Sequence, residues 1–275
     1  MKNINFLFSF ANFVFKSIKM KIHIAYFSAT YTTRAVCLGV ARHLGGDIVE
    51  HDITNESPLE NVDIPNDELL IIGMPVYCGR VPEMAAERIR KFYGRQTRAI
   101  ALVVYGNREY DDALLELTRM VEENQFKVIA AAAFIGRHCI FPMVAADRPD
   151  AADQLKMKAF AEQCRPLLAA PVENIAAIEV PGNRSEYCPH KKSIFCPVPT
   201  DECTNCGTCA ELCPTGAISL QDARKVNPER CIACGRCVLV CTQHGRHFAG
   251  EIYDGAAARF SAANAARKEP EFFFA

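Results

Sequence analysis

Residues 203–213 read Cys203-Thr-Asn-Cys206-Gly-Thr-Cys209-Ala-Glu-Leu-Cys213, with Pro214 next, and residues 231–241 repeat the pattern as Cys231-Ile-Ala-Cys234-Gly-Arg-Cys237-Val-Leu-Val-Cys241. Each run is C-x2-C-x2-C-x3-C, the spacing at which thiolates hold cubane iron–sulfur clusters. A two-residue gap lets a tight turn bring successive thiolates onto one small object, with loop N–H groups free to offset its charge. Gly207 and Gly235 stand where the backbone must approach closely or adopt a positive φ. The fourth cysteine of each run is expected to cross over. One cluster then uses Cys203, Cys206, Cys209 and Cys241, and the other Cys231, Cys234, Cys237 and Cys213. Disulfides and zinc are the rival readings. Dense triplets with a fourth cysteine close behind suit neither as well, since zinc sites space two C-x2-C pairs widely.

The segment resembles the bacterial ferredoxins with two [4Fe-4S] clusters, over about residues 200–249. It departs from them after Cys241, where Thr242 replaces the proline that follows Cys213. A module of that size has little apolar core and draws much of its folding energy from metal ligation.

The rest of the 275-residue chain is long enough for an ordinary domain with its own core. Half of the residues are hydrophobic and 23% charged, a globular composition. A net charge of −1 gives no electrostatic case for binding nucleic acid. Fourteen cysteines in a chain of this kind imply a reducing, cytoplasmic compartment.

From Met20 to about residue 170, apolar runs alternate with helical patterns. Strands are expected at Ile22–Phe27, Asp47–Ile53 (an edge), Leu69–Met74, Ala99–Tyr105 and the alanine-rich Val128–Ile135. Helices are expected at Thr33–Leu44, Pro82–Phe92, Asp111–Asn124 and Asp150–Leu168, with Asp111 and Asp112 suiting a helix N-terminus. This alternation implies a doubly wound parallel sheet covered on both faces, with ligands beyond the carboxyl ends of the strands. The first such loop, Ser28-Ala29-Thr30-Tyr31-Thr32-Thr33, crowds hydroxyls at a helix N-terminus, a place suited to phosphate. Ordinary capping needs only one of them. Neither G-x-G-x-x-G nor G-K-[ST] is present.

At these residues the domain resembles flavodoxin. The resemblance implies a five-stranded sheet of order 2-1-3-4-5 and an FMN phosphate held by Ser28, Thr30 and Thr33, with Thr32 beside them. Tyr31 stands where many relatives carry glycine. The loop Pro75-Val76-Tyr77-Cys78-Gly79 is similar to the one that covers one face of the flavin ring. The loop from Tyr105 is similar to the second flavin loop, with Gly106 and Asn107 meeting the pyrimidine edge and Tyr110 stacking. His138, in the loop after the fifth strand, either donates to flavin or substrate or holds its own loop. Cys37, Cys139 and Cys164 read as small buried residues, and Cys78 as a possible redox-sensitive thiol.

Five sections follow along the chain. Residues 1–19 are a basic, phenylalanine-rich extension with three readings: a weak signal peptide, a membrane-surface segment, or a start-site artefact ahead of Met20. The sequence favours the third, and the segment is too short and polar to span a bilayer. Residues 20–170 are the flavodoxin-like FMN domain, 171–199 a proline-rich linker, 200–249 the ferredoxin domain, and 250–275 a helical tail. Cys188 and Cys196 in the linker either bind a further metal or pack against the ferredoxin module, and Lys191 and Lys192 read as a solvated face. Phe272, Phe273 and Phe274 are expected to dock on the protein's own surface or on a partner, since exposing them is costly.

Past Met20 nearly the whole chain resembles the flavodoxin–ferredoxin fusion proteins of anaerobic bacteria and archaea. The resemblance implies an electron-transfer iron–sulfur flavoprotein that passes electrons between two [4Fe-4S] clusters and FMN and meets redox partner proteins. Two other classes stay open: an FMN-dependent reductase of a quinone, flavin or other small acceptor, with His138 or Tyr77 as proton donor, and a docked subunit of a larger redox complex.

Overall fold

Runs such as Leu69-Leu-Ile-Ile-Gly-Met-Pro75 have no polar side, so they must be covered on both faces. In a computed structural model, which describes residues 20–55, 60–183 and 185–275, they form the middle of a six-stranded sheet. The readings of residues 1–19 lie outside the described residues. The strands are β1 Lys21–Tyr26, β2 Asp47–Asp52, β3 Leu69–Pro75, β4 Thr97–Tyr105, β5 Phe126–Ile135 and β6 Glu271–Phe274. Their order is β2-β1-β3-β4-β5-β6. The first five pair in parallel, in the 2-1-3-4-5 order of a flavodoxin-like sheet. β6 is antiparallel to β5.

Helices α1 Thr32–Leu44 and α4 Ala151–Ala169 cover one face of the sheet. α2 Glu83–Ile89 and α3 Ala113–Glu123 cover the other. α2 stops short of the expected Phe92, because Phe92–Tyr93 pairs with Val62–Asp63 as a small second sheet. Asp112 precedes α3 without capping it. Its carboxylate accepts instead from the N–H groups of Asn183 (2.8 Å) and Cys188 (2.6 Å), which ties the linker to the domain.

The cysteine-rich segment holds two short helices, α5 Thr208–Glu211 and α6 Arg236–Leu239. Gly207 and Gly235 precede them at φ 85° and 74°, in the left-handed region. Val198–Pro199 pairs with Arg246–His247, so the module begins within the stretch expected to be linker. α7 Glu251–Ala263 follows, and its Tyr253 and Phe260 join Phe141 and Phe195 in an aromatic cluster.

The tail is the main correction to the five-stranded, helical-tail expectation. After α7 the chain returns to the first domain as β6 and adds a sixth strand. Phe272, Phe273 and Phe274 lie opposite Ala132, Ala131 and Ala130. The alanine-rich character of β5 follows: small side chains leave room for three rings on the neighbouring strand. Phe272 packs on Phe134 (5.7 Å between centroids) and Phe160 (5.0 Å), while Phe273 leans on the other core. Among the described residues no helix is long and apolar enough to cross a membrane.

Phe272→Ala is expected to destabilise the fold by about 2 kcal/mol, below the usual cost for a fully buried phenylalanine because Phe272 is half-buried. Thermal unfolding should show a midpoint several degrees lower; an unchanged midpoint would mean that β6 contributes little.

Candidate functional site

The two cysteine runs fold into two four-thiol chambers. Cys203, Cys206, Cys209 and Cys241 line one small cavity. Cys213, Cys231, Cys234 and Cys237 line another. The fourth cysteine of each run thus sits with the first three of the other. Among the described residues no three such side chains close on a single-ion site. Each set of four thiols lines a small void. N–H groups approach the sulfurs from Ala217 to Cys213 (3.3 Å), Ala233 to Cys231 (3.4 Å) and Gly245 to Cys241 (3.2 Å). Hydrogen bonds to the sulfurs are among the features that set a cluster's potential. Burial pushes the free Cys237 thiol up to about 12, so ligation there must displace a proton.

The chambers differ in surroundings. Cys206 is exposed, whereas Cys234 is buried in the larger core of the first domain. Cys231 also lines a far bigger cavity of about 500 Å³, at the carboxyl end of the sheet. Val76, Tyr77 and Gly79 form one wall, Gly106 and His138–Phe141 another, and Cys231–Ala233 and residues 190–195 close it. That size suits a small-molecule or cofactor site.

Tyr77–Arg80 is a tight turn closed by reciprocal backbone bonds of 2.9 and 3.2 Å, with Cys78 and Gly79 both at positive φ. Positive φ at both central positions is the type I′ pattern. Arg80 fixes the turn through a buried two-bond ion pair with Glu116 of α3 (2.8 and 2.7 Å), and Glu116 also accepts from Val81 N–H (3.0 Å). Arg80 further donates to the Cys188 carbonyl (2.6 Å). Pro75 ends β3 and is buried.

The second loop is held by the tail. Asn107 Nδ2 donates to the carbonyls of Asn264 and Ala266 (both 2.8 Å), and its Oδ1 accepts from Lys268 N–H (3.3 Å). Tyr110, expected to stack on a flavin, does not line the cavity. Its ring packs on Tyr105 (5.5 Å) and its hydroxyl donates to Glu271 Oε2 of β6 (2.8 Å). Tyr105 is buried at the end of β4. Tyr77 is the tyrosine that faces the cavity.

His138 Nδ1 accepts from the N–H groups of Ile140 (3.2 Å) and Phe141 (3.0 Å), so the neutral ring carries its proton on Nε2. Burial, assisted by Arg108, pulls its pKa down to about 4. Burial raises the Tyr77 phenol well above its ordinary value. Near neutral pH both side chains serve as hydrogen-bond donors, and neither readily releases a proton.

The hydroxyl loop lies beyond the cavity. Ser28 Oγ accepts from Arg34 N–H (3.0 Å), and Ser28 N–H donates to Thr54 Oγ1 (2.8 Å). Thr30 and Thr32 hydroxyls stand 3.5 Å apart, and Thr33 is buried in the first turn of α1. Tyr31 takes φ 62°, the left-handed region that glycine would enter freely. Its ring lies under the Arg236 guanidinium, 4.7 Å from centroid to carbon. Nothing in the local pattern marks Arg236 as a site residue beyond a cation beside Gly235 where the first run has Thr208.

Cys37 and Cys164 are buried, Cys139 is half-buried and Cys78 exposed. The linker cysteines part company. Cys188 Sγ faces the Gly79 carbonyl (3.7 Å), whereas Cys196 stands against Cys231, its thiol pushed up to about 12 mainly by burial. Lys192 pairs with exposed Glu229 (3.2 Å).

Residues 202–244 match the model of the 4Fe-4S dicluster domain. Similar solved structures include a rubredoxin:oxygen oxidoreductase from Desulfovibrio gigas, at 14% identity and a TM-score of 0.38, covering 55% of this chain and 37% of that one. A flavodoxin from the Archaea is 12% identical with a TM-score of 0.37, over 55% of this chain and 100% of that one. A flavodoxin of Streptococcus pneumoniae TIGR4 is 14% identical with a TM-score of 0.40, over 54% of this chain and 99% of that one. The chain thus spans just over a third of the length of the oxidoreductase. No curated protein matches it.

Two outcomes follow from this geometry. Cys241→Ser should alter the same electron paramagnetic resonance signal of the reduced protein as Cys203→Ser, and Cys213→Ser the same signal as Cys231→Ser. The opposite grouping would overturn the crossed ligand sets. His138, with a folded pKa of about 4 against 6.5 for the free group, stabilises the fold while neutral; that contribution is complete above pH 6.5 and lost as pH falls through 4. Wild type should therefore lose more stability than His138→Asn between pH 7 and 4.5, by roughly 3 kcal/mol at most. Equal losses in thermal midpoint would remove His138 as the cause.

Proposed function

We propose that the protein is an electron-transfer iron–sulfur flavoprotein of the cytoplasm, passing electrons between two [4Fe-4S] clusters and FMN. One observation carries the reading: Cys231 lines both a four-thiol chamber and the large cavity, so the two cofactor sites share a wall. The residues fit the groups. Eight thiols surround two voids, the cavity has cofactor size, and a hydroxyl loop with a buried, unpartnered Arg236 Nε stands ready for an anion. Bound there, each cluster passes one electron and FMN accepts one or two.

The chain's own part is to position and shield. Ser28, Thr30, Thr32 and Thr33 take the phosphate, Tyr77 and Gly79 cover the ring, and Gly106 meets its polar edge. His138 offers its Nε2 proton as a donor. Residues 190–195 and Phe141 complete the lining on the side away from the sheet loops. The chamber with exposed Cys206 faces outward and is the side on which redox partner proteins exchange electrons.

Anaerobic purification, with iron, sulfide and flavin counted per chain, tests the reading. The expected content is about eight irons and one FMN. Zinc in place of iron, or no flavin retained after reconstitution, would sink it.

A further inference from the structure

Arg236 opens α6 in the second cysteine run, yet its side chain leaves the cysteine-rich segment. It is 4% exposed. Nη1 donates to the Ala29 carbonyl (3.1 Å), and the guanidinium lies on the Tyr31 ring. Nε is buried with no hydrogen-bond partner. Among the described residues no carboxylate pairs with it. A buried guanidinium without a counter-charge is strongly unfavourable, so this position calls for an anion beside it.

The place it reaches is the N-terminal end of α1. There Arg34 N–H is satisfied by Ser28 Oγ and Ala35 N–H by the Tyr31 carbonyl. The N–H groups of Thr32 and Thr33 have no partner among the described residues. Free N–H groups and the positive end of a helix also ask for an anion. Arg34 does not supply the charge, because it is committed to Glu50 (2.8 and 2.9 Å).

The geometry points to Arg236 as the cation that pairs with the phosphate of FMN, carried into the hydroxyl loop of the first domain by the ferredoxin-type segment. This rests on the FMN reading above. The flavin is then clasped by both modules, and the phosphate is recognised only when the second cysteine loop is seated. Tyr31 fits the same account. Its left-handed backbone is unfavourable for a tyrosine, but its ring gives the guanidinium a face to stack on, which glycine cannot. Arg236 also borders the chamber of Cys213, Cys231, Cys234 and Cys237, so the rival anion is that cluster itself.

The test compares FMN with riboflavin, which lacks the phosphate, by fluorescence quenching on anaerobically prepared, iron-loaded protein. Wild type should prefer FMN strongly. Arg236→Gln should cut the ratio of the two affinities by about tenfold or more, the loss of a charge-assisted hydrogen bond, while riboflavin binding and iron content hold. Arg236→Lys should cut it less, since lysine keeps the charge and loses the planar fork. An unchanged ratio in Arg236→Gln overturns the proposal, and a changed cluster potential beside it assigns the cation to the cluster. If Arg236→Gln fails to hold iron, the ratio is read on Arg236→Lys, where no change overturns it equally. Equal wild-type affinity for both flavins removes the phosphate pairing and leaves the flavin reading intact; no binding of either removes both.

Discussion

The packing of the loop Cys231–Cys237 against the carboxyl end of the sheet is the contact on which the rest of the arrangement depends. Among the described residues, the cysteine-rich segment has only a small apolar cluster of its own, built on Cys209, Ala210, Ile218 and Ala223. It must take stability from metal ligation and from the neighbouring domain. The two repeats share a backbone: Asn205 and Ala233 both sit at positive φ, as do Gly207 and Gly235. They differ because one faces water and the other the sheet. In the outer copy Asn205 Oδ1 accepts from Ala223 N–H (2.6 Å), a use for a polar side chain. In the inner copy Ala233 is 1% exposed and meets the cavity, where a polar group would have to be desolvated. The substitution of arginine for threonine after the glycine follows the same asymmetry, since only the inner copy has a loop for it to reach.

Around that contact the loops are held by polar pairs drawn from distant parts of the chain. Arg80 with Glu116 fixes the first loop, and Asp112 fixes the linker. Asn107 fixes the second loop to the tail. Each is buried or half-buried and fully engaged, the condition under which such groups specify a geometry instead of weakening it. These pairs set the shape of the loops that line the cavity.

Local pattern carried far into this fold. Strand runs, helix periodicity and cysteine spacing were readable because each is set by neighbours within a dozen residues or so. The five parallel strands and the left-handed glycines stand where those patterns put them. What the sequence did not disclose depends on pairings between remote segments. Tyr110 looks like a loop tyrosine until Glu271 arrives to take its hydroxyl. Asp112 looks like a helix cap until Asn183 and Cys188 compete for its carboxylate. The stretch Glu271–Phe274 has no strand signature of its own beyond its rings. Its partner signal was the alanine run of β5, visible in the sequence but meaningless without knowing what lay alongside.

The returning tail changes how the two modules relate. The cysteine-rich segment lies between α4 and β6, so the first domain's sheet is completed only by residues that follow it. A module joined by one linker can swing, and the distance between its cofactor sites swings with it. A module anchored at both ends, by Asp112 and Arg80 on the entering chain and by β6 on the leaving one, has far less freedom. Asn107 and Tyr110 take part in both tasks, since the tail that closes the sheet also sets the loop bordering the cavity. Shared walls between a four-thiol chamber and a cofactor-sized cavity have value only if they stay shared. The insertion is the feature of the chain that keeps Cys231 in both.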